Sequence, residues 1–370
     1  MPHPLLDRSK LRIRSLADRH NKVRIERDAV SPDTEPGELS PAGREIMAEC
    51  VEKIHAARAA GRAVMLAFGA HTIKNGLAPV LIRLIEEGWI TLLATNGAAI
   101  IHDWEFAYQG LSSEDVRANV DQGQFGIWQE TGYYLNLALT VGAYEGLGYG
   151  ESVGKMIERE GLDIPSPADL IQTARDQAET NPDVAACAID LAAAIRKWKI
   201  EPGFLAIAHP FKKFSAQAAA YRLNVPFTAH PMIGHDIIYT HPANHCAAIG
   251  RAAQRDFLTF ANQVHQLEGG VYLSVGSAVM SPMIFEKSLS MSQNLEIQKG
   301  EKITRHHMVI VDLAASTWDW QSAGEPPMDN PAYYLRYCKT FSRMGGVMRY
   351  LSADNRDFLL TLLESLSKNT

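Results

Sequence analysis

Residues 63–97, AVMLAFGAHTIKNGLAPVLIRLIEEGWITLLATNG, decide how the chain is read. The run 63–68 is continuously apolar and ends at Gly69. Asn75-Gly76 then opens a segment with apolar residues at helical spacing, and WITLLAT (89–95) is a second apolar run that ends in Asn96-Gly97. A strand with no polar alternation is buried on both faces, the setting of a parallel strand covered by helices. Two strand–helix units in succession imply right-handed crossovers. They predict an α/β fold on a doubly wound, mostly parallel, Rossmann-like sheet with helical additions.

The same signature recurs downstream in FLAIA (204–208), VPFTA (225–229), GVYLSV (270–275), MVIVDL (308–313) and VMRY (347–350), for about seven strands. Residues from about 111 to 199 read as a helical insertion without a clear strand, lying over one face of the sheet and forming an oligomer contact. Upstream, 41–61 reads as a helix closed by a glycine. Residues 1–40 form an N-terminal arm, basic between Arg8 and Arg27 and then turn-rich. It is expected on a neighbouring subunit or on the parent domain. Residues 41–370 then make a single large α/β domain.

Composition excludes several classes. At 46% apolar and 21% charged the chain is an ordinary globular protein, and a net charge of −6 leaves nothing to neutralise a nucleic-acid backbone. No apolar run is long enough to span a bilayer and no secretory apolar segment opens the sequence. Cys50, Cys187, Cys246 and Cys338 lie far apart with no CxxC, which fits reduced thiols and a cytoplasmic location.

In an open α/β sheet the ligand sits beyond the carboxyl ends of the strands. Five segments follow predicted strands: GAHTIKNG (69–76), TNGAAIIHD (95–103), HPMIGHDIIYTHPANH (230–245), VGSAVMSP (275–282) and DLAASTWDW (312–320). Gly97 and Gly276-Ser277 let backbone approach a phosphate near a helix start, although the same glycines also serve an ordinary strand-to-helix turn. None is a GxGxxG fingerprint. His230, His235, Asp236, His241 and His245 crowd one segment, and imidazole with carboxylate suits zinc, iron or manganese. The spacing matches no ligand motif, and a set of hydrogen-bonding, proton-carrying histidines is the other reading.

Near the C-terminus, PAYYLRYCKTFSRMGG (331–346) reads as a short helix that sets Lys339 among Tyr337, Cys338 and Phe341. Desolvation among aromatics lowers an amine's pKa and frees a nucleophile; alternatively the ammonium snorkels to water.

Together AFGAHTIKNGL, LLATNGAA, GHDIIYTH, YLSVGSAVMSPMI, the Trp-Asp pair of DLAASTWDW, and YCK followed by VMRYLSADNRDFLLTLL resemble, distantly, deoxyhypusine synthase. The resemblance runs from about Ala63 to Leu363 in the same order. It implies a doubly wound sheet that binds NAD and a homotetramer with sites at dimer interfaces. It also implies NAD-dependent oxidation of spermidine, the aminobutyl group being held as an imine on a lysine and passed to a protein lysine. On this resemblance Lys339 takes the catalytic lysine's place and Tyr337 that of a tryptophan. Asp236 and Asp319 fall on cofactor-contacting aspartates, Thr95 and Gly97 lie in the turn that meets the cofactor, and Gly276 keeps the first of a triple glycine. The departures are Ser277-Ala278 for the other glycines and Ile100-Ile101 for paired glutamates, with His102 and Asp103 just beyond. Pro282 stands for a histidine, Ser322 for an acidic residue, and His71 and Lys74 for asparagine and serine.

A pocket that exchanges carboxylates for imidazoles and a lysine suits a smaller amine, an amino acid or an acid better than a tri-cation. The expectation is an NAD-dependent transferase of an alkylamine group through amine oxidation and an imine on Lys339. His102, His235 and His241 would act as proton carriers, with Asp103, Tyr337 and Trp320 against the substrate. Gly69, His71, Thr95, Gly97, Asp236, Gly276, Ser277 and Asp319 would hold NAD. The chain would work without a metal, as a homo-oligomer (dimer or tetramer). The alternatives are a metal-dependent hydrolase built on the 230–245 histidines and a non-catalytic scaffold of the same fold.

Overall fold

In the computed structural model, which describes residues 3–368, six parallel strands form the central sheet. They are β1 (Val64–Phe68), β2 (Leu92–Thr95), β3 (Phe227–Ala229), β4 (Val271–Val275), β5 (His307–Asp312) and β6 (Val347–Ser352), in spatial order β6-β5-β4-β1-β2-β3. Every residue of β1, β2 and β4 is buried. Alternate side chains of β1 serve two cores. Val64, Leu66 and Phe68 pack with Met47, Leu81 and Leu359, whereas Met65 and Ala67 pack with Phe260, Phe285 and Phe341. Helices Pro41–Ala59, Ala78–Glu86 and Asn355–Lys368 thus cover one face, and Cys246–His265, Met280–Ile297 and Arg336–Ser342 cover the other. This double covering is why the strands read as unbroken apolar runs.

The chain builds outward from β1 to β3, then returns to β4 beside β1 and builds the other way. The sheet therefore has its topological switch point between β1 and β4. There Gly69 donates its N–H to the Val275 carbonyl at 3.1 Å, and Gly276 to that of Val311 at 2.9 Å. A Cβ on Gly69 would lie 2.0 Å from the Gly276 carbonyl oxygen, so the two turns meet only because position 69 has no side chain.

Two strand assignments differ from the sequence reading. The first three residues of FLAIA belong to the strand Gly203–Ala206, which forms a two-stranded antiparallel ribbon with Gly161–Ile164, outside the central sheet. Phe204 is 53% exposed, so this apolar run lacks the two-sided burial that such runs suggest. The central sheet accordingly has six strands where seven were expected. The 111–199 stretch is mainly helical but also supplies Gly161–Ile164 and Leu111–Glu114. LSSE is a polar strand that a hydrophobic pattern cannot reveal. It is held because its side chains find buried polar partners.

Residues 1 and 2 of the expected arm lie outside the described residues. From there on, the arm packs on its own chain: Asn21–Arg24 pairs antiparallel with Leu111–Glu114, and Leu16 and Ile25 are buried. Among the described residues, no helix is long and apolar enough to cross a membrane.

Candidate active site

Thr95 closes β2 by donating its hydroxyl to the Phe68 carbonyl at 2.8 Å, tying the end of β2 to that of β1. The Asn96 side chain then accepts from the Ala99 N–H at 3.1 Å and caps the helix Gly97–Gln109. Beyond β3 the chain turns through Gly234, at φ +87°, and brings Asp236 back over this helix start. The contact is tight: a Cβ at position 97 would lie 2.1 Å from Asp236 Oδ2. That oxygen is buried and has no hydrogen-bond partner. Burial pushes the Asp236 carboxyl up to about 6, with His235 pulling the other way. An acceptor left open inside a protein costs free energy, and it is also where a donor ligand gains most. The positive end of the helix favours its ionised form.

Asp236 and His235 line a cavity of about 230 Å³ together with Lys74 and His102. Its floor is Glu105 with Arg19, a bidentate ion pair with N–O distances of 2.8 and 2.6 Å and both side chains almost wholly buried. Burial alone would raise the Glu105 carboxyl, but Arg19, with His102 and Ser112 adding to it, holds the group below the usual range. Ser112 donates to Glu105 Oε2 at 2.6 Å, and its oxygen lies 2.8 Å from His102 Nδ1. Burial holds His102 below its ordinary pKa, opposed by Glu105. The imidazole is therefore neutral near pH 7 and able to accept a proton.

The sequence pointed to His102, His235, Asp236 and Gly97, and the structure brings these four together. The other histidines of the 230–245 segment are committed elsewhere. His241 accepts from the Ala243 N–H at Nδ1 (3.0 Å) and meets Gln129 Oε1 with Nε2 at 3.2 Å. With both nitrogens engaged and burial pushing it down to about 4, it is no proton carrier here. His230 meets the Thr228 hydroxyl at 3.0 Å, and His245 caps the helix Cys246–His265. The 230–245 imidazoles thus point into different environments. Among the described residues no group of three or more His, Cys, Asp or Glu side chains is placed to hold a metal ion.

Asp103 also departs from expectation. Its carboxylate accepts from Ser215 Oγ (2.5 Å), Gln217 Nε2 (2.8 Å) and the Ala216 N–H (2.9 Å). It holds the start of the helix Ala216–Arg222 and has nothing left for a substrate. At the switch point the space beside Gly69 is taken by the Gly276 carbonyl and that beside Gly276 by the Asn355 side chain, while Ser277 accepts from the Ser281 N–H at 3.3 Å and His71 is exposed. The Thr95 hydroxyl gives its proton to Phe68, so toward any further partner it can only accept.

Lys339 requires the largest correction. Its Nζ lies 2.7 Å from Glu325 Oε1 and 3.6 Å from the centre of the Tyr333 ring. The bond to Glu325, with Tyr333 adding to it, raises its pKa above that of an ordinary lysine. The aromatic wall predicted from the sequence is present, but a carboxylate accompanies it and the amine is held as ammonium. Tyr337 meets the Tyr350 hydroxyl at 3.4 Å, Trp320 is buried, and Asp319 accepts the Gln321 and Ser322 N–H groups at 3.0 and 3.1 Å to shape its own turn. These residues belong to the β5–β6 connection and line no part of the Asp236 cavity.

Arg19, Glu105 and Ser112 escaped the sequence reading. Glu105 carried one signal: it is an acid set between the aromatics of WEFAY, where a buried charge demands a partner.

No family model matches the chain and no curated protein matches its sequence. Among solved structures, unliganded AgrE is 17% identical over 90% of this chain and 34% of its own, with a TM-score of 0.45. AgrE in its ternary complex with ornithine and NAD+ gives 17% identity, the same coverages and 0.43. A conserved protein assigned as LOR/SDH from Methanococcus maripaludis S2 is 12% identical over 91% of this chain and 71% of its own, at 0.42. A protein assigned as a deoxyhypusine synthase from Entamoeba histolytica is 10% identical over 82% and 74%, at 0.33. The chain spans about a third of the length of AgrE.

Proposed function

We propose that the chain is an NAD-dependent enzyme acting on a small amine or amino-acid-like substrate, bound in the cavity between Asp236 and His102. The observation that carries this reading is the Asp236 carboxylate, buried against Gly97 with one oxygen lacking a partner. An ammonium group is its chemical complement, because it supplies both the donor and the opposite charge. At about 230 Å³ the cavity falls below the roughly 300–1,000 Å³ of pockets for drug-sized ligands, so its occupant is a small metabolite. Lys74 on the same wall provides a cation for a carboxylate, which extends the fit to amino acids.

For the dinucleotide, the supporting observation is the arrangement of turns. The switch point lies between β1 and β4, where an open α/β sheet takes its ligand beyond the carboxyl ends of the strands. The backbone of the turns at Gly69, Gly97 and Gly276 would face it. When bound, NAD supplies a hydride acceptor. The chain's own contribution is to hold the substrate nitrogen at Asp236 and to take its proton at His102 Nε2. Lys339, already paired with Glu325, is left out of this chemistry, and the reading does not involve an imine on that residue.

The test is thermal denaturation with NAD and then with NAD plus a panel of amines and amino acids. A ligand at a hundredfold its Kd stabilises by about 2.7 kcal/mol. NAD should raise the melting temperature, and an accepted amine should produce NADH absorbance that Asp236→Asn abolishes. Absence of any NAD-dependent stabilisation would remove the proposal.

A further inference from the structure

We infer that Ser112 and Glu105 position His102 as the proton acceptor of the cavity, through a buried relay anchored by Arg19 of the N-terminal arm. The inference rests on the cavity being the substrate site, and it follows from counting protons. A hydroxyl carries one hydrogen. Ser112 gives its own to Glu105 Oε2 at 2.6 Å. Toward His102 Nδ1, 2.8 Å away, the Ser112 oxygen can then only accept. Nδ1 therefore bears the imidazole proton, and Nε2 keeps the lone pair for the cavity that His102 lines.

Glu105 can play this part because it stays ionised. Arg19 donates to both its oxygens, at 2.8 and 2.6 Å, and Thr131 adds a third donor at 2.9 Å. The backbone is arranged to the same end. Val23 of the arm lies opposite Ser112 in the short antiparallel ribbon. The next residue, Ser113, adopts φ +70°, a left-handed conformation that a non-glycine residue holds only when its surroundings enforce it. The arm thus supplies both the cation of the relay and the strand that fixes its hydroxyl.

In the step this serves, the bond between the substrate nitrogen and its proton breaks and a new bond forms at His102 Nε2. The electron pair stays on the substrate nitrogen. Glu105, through the Ser112 dipole, stabilises the imidazolium that results. No proton passes to Glu105, which Arg19 keeps charged. The groups acting on His102 are Glu105, which favours the charged ring, and Lys74, Arg19 and His71, which oppose it. Asp236, His235 and Glu114 share the cavity.

The tautomer can be read without any ligand. In the full chain labelled with 15N-histidine, with the His102 signals identified by their loss in His102→Gln, Nδ1 should be protonated and Nε2 bare. Ser112→Ala should lose that preference and move the His102 titration to lower pH, and Ser112→Thr should restore both. Ser112→Cys, which keeps the packing volume but weakens the donor, should fall between them if the alanine variant does not fold. If an accepted amine is known, Ser112→Ala should lower kcat and leave KM nearly unchanged. A wild-type His102 protonated at Nε2, or a Ser112→Ala variant with tautomer and titration unchanged, would overturn the inference. Because the measurement needs neither NAD nor amine, its failure is distinct from failure of the proposed activity.

Discussion

The carboxylate of Asp236 occupies the volume a side chain at position 97 would need, a Cβ there falling 2.1 Å from Oδ2. These residues lie on the connections after β3 and β2, and Asp236 lines the cavity. Gly97→Ala must therefore move either the carboxylate or the start of the helix Gly97–Gln109. Overpacking of this kind costs about 1–3 kcal/mol. The expected outcome is a lowered denaturation midpoint, together with a larger loss of amine binding by calorimetry than stability alone explains. Unchanged amine binding in a folded Gly97→Ala protein would show that the contact does not shape the site.

Asp236 also sets a pH dependence whose sign is opposite to that of an ion-paired carboxylate. An unfolded aspartate titrates near ~3.9, whereas burial raises this one to about 6 in the folded chain. Between about 4 and 6 the folded protein keeps a proton that the unfolded chain has released. Stability therefore falls as pH rises across that window and is level above it. At about 1.4 kcal/mol for each pH unit of the window, the contribution is about 3 kcal/mol at most. Asp256, raised by burial to about 7, extends the slope upward. The stability difference between wild type and Asp236→Asn, followed by denaturant melts from pH 4 to 7, should isolate the Asp236 part. Binding of an ammonium ligand should run the other way, weakening below about pH 6 as Asp236 takes up its proton.

Lys339 yields a negative prediction. Its ammonium is bonded to Glu325 at 2.7 Å and sits over the Tyr333 ring, so it is not poised to attack a carbonyl. Borohydride added during turnover of an accepted amine should leave Lys339 unlabelled, and Lys339→Ala should retain NAD stabilisation and amine oxidation. A reduced adduct on Lys339, found by peptide mass spectrometry, would return the imine to the mechanism.

The sheet was legible from the sequence because its physics is local. Val64–Phe68 and Leu92–Thr95 are buried on both faces, and such burial writes an apolar run bounded by glycine. The same rule misplaced FLAIA, since apolar composition does not say whether a strand has neighbours on both edges. It also passed over LSSE, whose burial depends on Arg19 and the arm instead of its own hydrophobicity. Gly97, Asp236, His102 and His235 could be listed because they follow predicted strands and carry chemistry. That Asp236, His102 and His235 meet in one cavity, with Gly97 against Asp236, depends on how the 230–236 segment folds back, which spacing does not encode. The aromatic neighbours of Lys339 were readable in the same way, but Glu325, fourteen residues before it, was not, and that carboxylate reverses the direction of its pKa.

The Arg19–Glu105 pair supplies the last prediction, because its two halves come from the arm and from the helix beneath the cavity. Both side chains are almost fully buried, and removing one partner leaves the other charged without compensation. Such a break costs about 3–5 kcal/mol, whereas replacing both partners with apolar residues of similar volume is often close to neutral. Arg19→Met and Glu105→Leu should each lower stability markedly, and the double variant should recover most of the loss in a denaturant double-mutant cycle. Recovery of stability should not restore the His102 tautomer, since the double variant has no carboxylate to take the Ser112 proton. A double variant that regains both stability and the Nδ1–H form would separate the ion pair from the relay and leave it a structural clasp for the arm.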